Sequence, residues 1–324
     1  MDTSTASPRL LADVGGTNAR FAWQAGPGAP IESVQTLPCA DYPTLEAAMR
    51  KYLDGLAQPR PTVAAVAIAN PVYSDHVQMT NHHWSFSISA LRQAMGLARL
   101  EVLNDFTALA LALPGLSASD KRQIGGHTAL PNAAMGLIGP GTGLGVSGLL
   151  PDGQGGWVPL QGEGGHVSLS ASTPRERTVL EALQQRYGHA SAERAVSGMG
   201  LLDIHSILCE ADGVPLPPGH TAAQVSEAGL AGDALARESL SMMCAFLGSV
   251  AGNLALTLGA KGGVYIGGGI VPRLGAFFEQ SPFRERFEAK GRFQPYLADI
   301  PVWVITAAQS PALAGTAVVL NRQP

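Results

Sequence analysis

The chain has 324 residues, enough for two domains with substantial cores at roughly 100–200 residues per domain. Charged residues make up 14% where soluble proteins average about 25%, and the 46% hydrophobic share is ordinary, which excludes a disordered chain. A net charge of −4 supplies no basic field for a phosphate backbone, so no nucleic-acid partner is expected.

Leu10 to Gly15 and Ala19 to Trp23 are short apolar runs flanking a Gly-Gly-Thr-Asn turn, which predicts a hairpin. Tyr42 to Leu56 places Leu45, Met49, Leu53 and Leu56 at helical spacing, and Val63 to Ile68 reads as a compact strand. Leu100 to Leu103 predicts a strand followed directly by an apolar helix, Thr107 to Leu113. Gly136 to Leu150 repeats the opening pattern around a second turn, Gly139-Pro140-Gly141-Thr142-Gly143, so each half of the chain begins with a similar hairpin. Helices are then predicted over Arg175 to Tyr187, Ala192 to Val196 and Leu201 to Ala211. The uncharged stretch 239–260 is long enough to span a bilayer. It carries Ser239, Ser241, Ser249, Asn253 and glycines, so it reads as one or two buried helices, and no membrane partner is expected. A strand precedes Gly267, Val302 to Ile305 is a last strand, and Pro311 to Leu320 a last helix. The alternation predicts an α/β class with mixed sheets and a duplication of whole half-molecules.

Cys39, Cys209 and Cys244 lack CxxC or Cys/His spacing, which excludes a disulfide framework and a structural zinc. Met1 to Pro8 has no basic region, and the run Leu10 to Ala12 is cut by Asp13, so no signal peptide is expected and a reducing, cytoplasmic setting follows.

Asp13-Val14-Gly15-Gly16-Thr17-Asn18 can bring backbone N–H groups to phosphate oxygens, because no Cβ blocks the approach. A strand rather than a helix follows, and no GxxxxGK[ST] is present, so dinucleotide and P-loop readings weaken. Asp13 suits Mg²⁺ held through water, although a plain hairpin with Asp13 capping backbone groups accounts for the pattern equally. Gly141, Thr142 and Gly143 repeat the idea, and Gly262-Gly263 with Gly267, Gly268 and Gly269 form a third cluster. Asp105 follows Asn104 at the end of a strand and the start of a helix, where the helix dipole is expected to keep it ionised as a base; an N-cap explains an isolated Asp there as well. Glu163 and His166, in a flexible loop, join Glu193 as a set suited to the hydroxyls of a polyol. A first-turn helix acid and an ordinary loop histidine explain Glu193 and His166 equally.

Together these segments resemble the bacterial glucokinase family of the actin/hexokinase-like superfamily. The matching text is residues 11–20, 80–87, 104–107, 141–145, 162–166, 191–194 and 267–273, in family order. The resemblance implies a two-domain actin/hexokinase-like (ribonuclease H-like) α/β fold with mixed sheets and a central cleft. The small domain would be 1–114 plus 307–324 and the large one 115–306. It implies ATP-dependent phosphorylation of the 6-hydroxyl of glucose, with Asp105 as base and Asn104, Asp105, Glu163, His166 and Glu193 as sugar ligands. Asp13, Gly15, Gly16, Thr17 and Asn18 would form the first phosphate turn, with Mg²⁺ bound near Asp13 through water. Gly141, Thr142 and Gly143 would form the second, and Gly267, Gly268 and Gly269 the adenosine wall. Pro140 departs from the family's usual small residue and removes one N–H from the second turn. The resemblance and the apolar 239–260 stretch also point to a homodimer.

Two other readings stay open: a kinase for mannose or N-acetylglucosamine, and a sugar-sensing protein without turnover. Polar groups built to meet one hydroxyl reject an analogue lacking it by about 10⁴-fold, so Glu163, His166 and Glu193 should discriminate sharply. Asp105 and both glycine turns argue against a sensor, as does the lack of room for a helix-turn-helix before Leu10.

Overall fold

The computed structural model describes residues 7–322. Residues 1–6, read above as free of a targeting signal, and 323–324, the end of the expected small-domain segment, lie outside the described residues. The chain separates into two compact units: one ends at Leu116 and resumes at Ala307, the other is Ser117–Thr306.

In the first unit β1 (Arg9–Val14) and β2 (Asn18–Gln24) form the expected hairpin, and β3 (Ile31–Pro38) adds an edge. α1 (Leu45–Asp54) crosses to β4 (Val63–Ile68), and a small hairpin of β5 (His76–Gln78) and β6 (Ser85–Ser87) follows. α2 (Ile88–Ala94) leads into β7 (Arg99–Asn104), and α3 (Asp105–Ala112) begins at the next residue. The sheet order is β3-β2-β1-β4-β7, antiparallel as far as β1 and parallel from β1 through β4 to β7. Parallel neighbours require crossovers, which α1 and α2 supply. β1 is covered on both faces: Leu10, Ala12 and Val14 share a core with Leu45, Met49 and Tyr52, while Leu11 belongs to a separate cluster. That double burial is why it reads as a continuous apolar run rather than an alternation.

The second unit opens with β8 (Lys121–Gln123), then the second hairpin, β9 (Met135–Pro140) and β10 (Leu144–Pro151), and β11 (Trp157–Gln161). α4 (Pro174–Tyr187), α5 (Gly198–Asp212), α6 (Ala222–Ala231) and α7 (Ala234–Leu258) precede β12 (Val264–Ile266). α8 (Val271–Leu274), α9 (Ala276–Gln280), α10 (Phe283–Glu288) and α11 (Gln294–Asp299) connect β12 to β13 (Val302–Ile305). The order β11-β10-β9-β12-β13-β8 repeats the first sheet's plan, an antiparallel meander joined to two parallel strands, with β8 added at the far edge. The duplication expected from the two hairpins is present as topology.

The uncharged stretch is one helix, α7. By length and composition it could cross a membrane, yet most of it is buried inside the second unit. Its Phe246 and Leu247 share a core with Phe278, Phe283 and Phe287. A Cβ on Gly248 would lie 2.2 Å from the Phe283 carbonyl oxygen and one on Gly252 2.5 Å from that of Phe287, so these glycines admit α10. This core accounts for the helix's apolarity, and the stretch no longer argues for a second copy of the chain. The helix expected over Ala192–Val196 is instead a turn, closed by the Val196 N–H donating to the Ala192 carbonyl. Ser197 then accepts the Gly200 N–H at 3.0 Å and starts α5 earlier than expected.

The chain returns to the first unit as α12 (Pro311–Asn321). α12 lies so close to α3 that a Cβ on Gly315 would fall 1.7 Å from the Ala108 carbonyl oxygen. Leu313, Ala317 and Leu320 pack with Leu11, Ala22 and Ala65 on the second face of the sheet. Arg99 donates to the Arg322 carbonyl at 2.8 Å and Arg9 to Asn321 Oδ1 at 2.7 Å, placing cations where the helix end presents unpaired carbonyls.

Candidate active site

Both sheets present chemistry at the carboxyl ends of their parallel strands, the edge at which α/β folds bind ligands. In the first unit β1 delivers Asp13 and the first glycine turn, β4 leads to Asn70, and β7 ends in Asn104. The turn is closed by the Gly15 N–H donating to the Asn18 carbonyl at 2.9 Å and held from behind by the Cys39 N–H on the Thr17 carbonyl at 2.8 Å. The N–H groups of Gly16 and Thr17 have no backbone partner among the described residues. Asn81 lies against the turn, where a Cβ on Gly16 would approach it to 3.0 Å. Asn70 holds that loop, its Oδ1 accepting both the N–H and the hydroxyl of Thr80.

Asp13 is paired. Its Oδ2 accepts from Arg20 Nη1 at 3.0 Å and from the Ser310 hydroxyl at 2.7 Å, and its side chain is 19% exposed. Arg20 is its cross-strand partner in the hairpin. Neither partner was among the residues expected at the site. Arg20 lay within reach of a register argument; Ser310, 297 positions away, did not.

Asn104, not Asp105, caps α3: its Oδ1 accepts the N–H groups of Phe106 and Thr107. Its Nδ2 donates to Asp105 Oδ1 at 3.1 Å and more weakly to the Asn70 carbonyl at 3.5 Å. Asp105 is thereby released from capping and fixed in place, its Oδ1 also accepting the Phe106 N–H at 2.9 Å. The helix terminus favours the ionised form of Asp105, as expected, but burial opposes it. Burial, and secondly the negative charge of Asp13, push its pKa up to about 7, outweighing the Phe106 and Asp105 N–H groups and the Asn104 amide, which lower it.

The second unit gathers the remaining expected residues, except that Gly262 and Gly263 are packing glycines. A Cβ on Gly262 would meet the Ala133 carbonyl oxygen at 2.4 Å, and one on Gly263 the Trp303 ring at 2.1 Å. Gly141, Thr142 and Gly143 turn between β9 and β10, with the Gly141 N–H on the Gly143 carbonyl at 2.8 Å. The N–H groups of Thr142 and Gly143 have no backbone partner among the described residues, so two donors remain although Pro140 contributes none. Gly267 donates to the Ile138 carbonyl, and Gly268, at φ +77°, comes so near the end of β9 that a Cβ would lie 2.3 Å from the Pro140 carbonyl oxygen. Gly269, like Gly268, is exposed.

Glu193 joins the sugar-type residues to the second turn. Its Oε2 accepts the Leu144 N–H at 2.8 Å and occupies the space a Cβ on Gly143 would need. Its backbone N–H donates to the Gly165 carbonyl at 2.9 Å, which ties it to the segment bearing Glu163 and His166. That segment is not a flexible loop: Gly164–His166 is a single 3-10 turn, with Gly165 buried so tightly that a Cβ would lie 2.1 Å from the Leu144 carbonyl oxygen. His189, not among the residues expected at the site, contacts the His166 carbonyl at 3.1 Å through its Nε2. His82 is half-buried and has its Nδ1 enclosed without a partner among the described residues.

Two α/β units of one strand plan, with glycine turns and carboxylates at the carboxyl ends of their strands, define a protein of the actin/hexokinase-like class. The model of the glucokinase family matches residues 10–323, and the chain belongs to that family. It is 57% identical over 314 residues to the glucokinase of Chromobacterium violaceum, covering 97% of this chain and 89% of that one. It is 53% identical over 316 residues to the bifunctional protein glk of Burkholderia pseudomallei, covering 98% of this chain but spanning only about half (49%) of that relative. The crystal structure of glucokinase from an Antarctic psychrotroph superimposes with a TM-score of 0.88 at 36% identity, covering 98% of this chain and 99% of that one.

Proposed function

We propose that this chain is an ATP-dependent glucose kinase that transfers the γ-phosphoryl group of MgATP to the 6-hydroxyl of glucose. The observation that carries the reading is Asp105, a fixed carboxylate at the carboxyl end of β7 with its pKa raised to about 7. A base poised near the working pH both populates its ionised form and accepts a proton readily. As the sugar oxygen bonds to phosphorus and the bond to the β-phosphate oxygen breaks, Asp105 takes the hydroxyl proton and ADP leaves. Asn104 holds Asp105 and offers the sugar the N–H that now makes only a long, 3.5 Å bond to the Asn70 carbonyl; Glu163, His166 and Glu193 pair with the remaining hydroxyls. The N–H groups of Gly16, Thr17, Thr142 and Gly143 face phosphate oxygens and stabilise their charge. Gly267 to Gly269 border the adenosine.

Mg²⁺ arrives with the nucleotide as part of the substrate. No cluster of three or more His, Cys, Asp or Glu suited to direct chelation occurs among the described residues. Asp13 fits a contact through water: Oδ2 is taken by Arg20 and Ser310, whereas Oδ1 accepts no hydrogen bond from the described residues. Three buried free thiols suit a reducing, cytoplasmic setting.

ADP release by the purified protein with MgATP tests the reading, with no sugar, glucose, mannose, fructose or N-acetylglucosamine. Release with glucose above the other sugars is the expected outcome. Preference for another hexose keeps the chemistry and changes the substrate; no release with any sugar, from folded protein that binds glucose, contradicts the reading.

A further inference from the structure

Ser310 stands immediately before Pro311, the first residue of α12, in the N-cap position. A serine hydroxyl there ordinarily accepts an N–H from the helix's first turn, worth about 1 kcal/mol. Thr44, Thr173, Ser197 and Thr221 do this for α1, α4, α5 and α6. Ser310 does not, although its backbone has the extended conformation usual for a cap. Its hydroxyl donates instead to Asp13 Oδ2 at 2.7 Å.

The diverted bond has a consequence for Asp13. Arg20 reaches the same oxygen at 3.0 Å, but through a long side chain that is 35% exposed, and it offsets the carboxylate's charge. The Ser310 hydroxyl is short, anchored at the start of a packed helix, and uncharged, so it orients the carboxylate without neutralising it. Two donors on Oδ2 restrict rotation of the carboxylate and reserve Oδ1 as an acceptor.

We infer that Ser310 is a positioning residue for phosphoryl transfer. It fixes Asp13 so that Oδ1 receives a water of the nucleotide-bound Mg²⁺. The inference rests on the role proposed for Asp13 above and extends it to a residue in the last helix. The hydroxyl that would have stabilised α12 serves the first phosphate turn, as happens where a site is maintained at a local cost in stability.

The test uses the full chain as wild type, Ser310→Ala and Ser310→Thr. Calorimetry measures the affinity of MgADP and of ADP in EDTA, and steady-state kinetics follow glucose phosphorylation. Wild type should bind MgADP more tightly than metal-free ADP. Ser310→Ala should lose on the order of tenfold of that advantage, the loss of one charge-assisted hydrogen bond, while metal-free ADP affinity stays put. Its kcat should fall with the KM for glucose unchanged, and Ser310→Thr should restore both the magnesium advantage and kcat. An unchanged magnesium advantage in Ser310→Ala overturns the inference, as does an equal loss for metal-free ADP. A wild-type protein without a magnesium advantage overturns the role of Asp13 itself, so the two failures are distinguishable.

Discussion

Asp13 and Asp105 leave the same edge of one sheet on strands separated only by β4, and the charge of Asp13 helps hold the proton on Asp105. Asp13→Asn should therefore move the acid limb of the kcat/KM profile to lower pH even as its height falls. A pH profile of the variant with glucose measures this. An acid limb unmoved from wild type contradicts the coupling.

Asp105 should impose an acid limb centred near its pKa of about 7, with activity rising as it loses its proton. Asp105→Asn preserves an oxygen for the Phe106 N–H, so it should fold and bind glucose while turnover falls by about 10²–10⁴-fold. The stability effect has a definite sign. The folded-state pKa lies above the unfolded value, so the acid's stabilising contribution is complete below the unfolded pKa and is lost as pH rises through about 7. Asp105→Asn should accordingly be more stable than wild type at pH 8, by on the order of 1–3 kcal/mol, with little difference at pH 4. Chemical denaturation at the two pH values checks this.

Gly143 and Glu193 give a contrast in glycine substitutions. A Cβ on Gly143 would sit 2.3 Å from Glu193 Oε2, the tip of a side chain that can turn away from the Leu144 N–H. Gly143→Ala should fold, with the KM for glucose raised about tenfold or more by a misplaced carboxylate. Gly165→Ala meets the Leu144 carbonyl oxygen at 2.1 Å, and backbone cannot yield so cheaply. It should cost on the order of 3 kcal/mol, read by chemical denaturation.

The Arg286–Glu176 pair, with side chains 11% and 5% exposed, supports the second unit away from the site. Glu176 also closes the capping box of α4 with Thr173 and accepts the Ser172 N–H at 2.7 Å. Arg286→Ala leaves this carboxylate buried without its cation and should cost about 3–5 kcal/mol. Denaturation of the variant, with the KM for glucose as a control expected to stay constant, checks it.

Much of the architecture was legible where local chemistry dictated it. Both hairpins followed from glycine turns between apolar runs, and β4 from a run buried on both sides. β3 and β11 were missed because they are edge strands with largely exposed residues, leaving little apolar signal. α6 carried a readable sign, Thr221 and Gln224 at capping-box spacing, but no strong apolar periodicity. The turn at Ala192–Val196 resembled a helix because tertiary bonds to the Gly164–His166 segment, invisible in sequence, govern it. At the site, residue types and spacings pointed to Asp13, Asp105 and the glycine turns. The Asp13–Ser310 bond and the elevated pKa of Asp105 depend on burial and contacts assembled by folding.

The most direct measurement is ³¹P NMR of the purified protein with MgATP and either glucose or 6-deoxyglucose. The account predicts a glucose 6-phosphate resonance growing in step with ADP for glucose, and neither signal above background for the analogue lacking the acceptor hydroxyl. Phosphorylation of 6-deoxyglucose, or of glucose at another position, would contradict it.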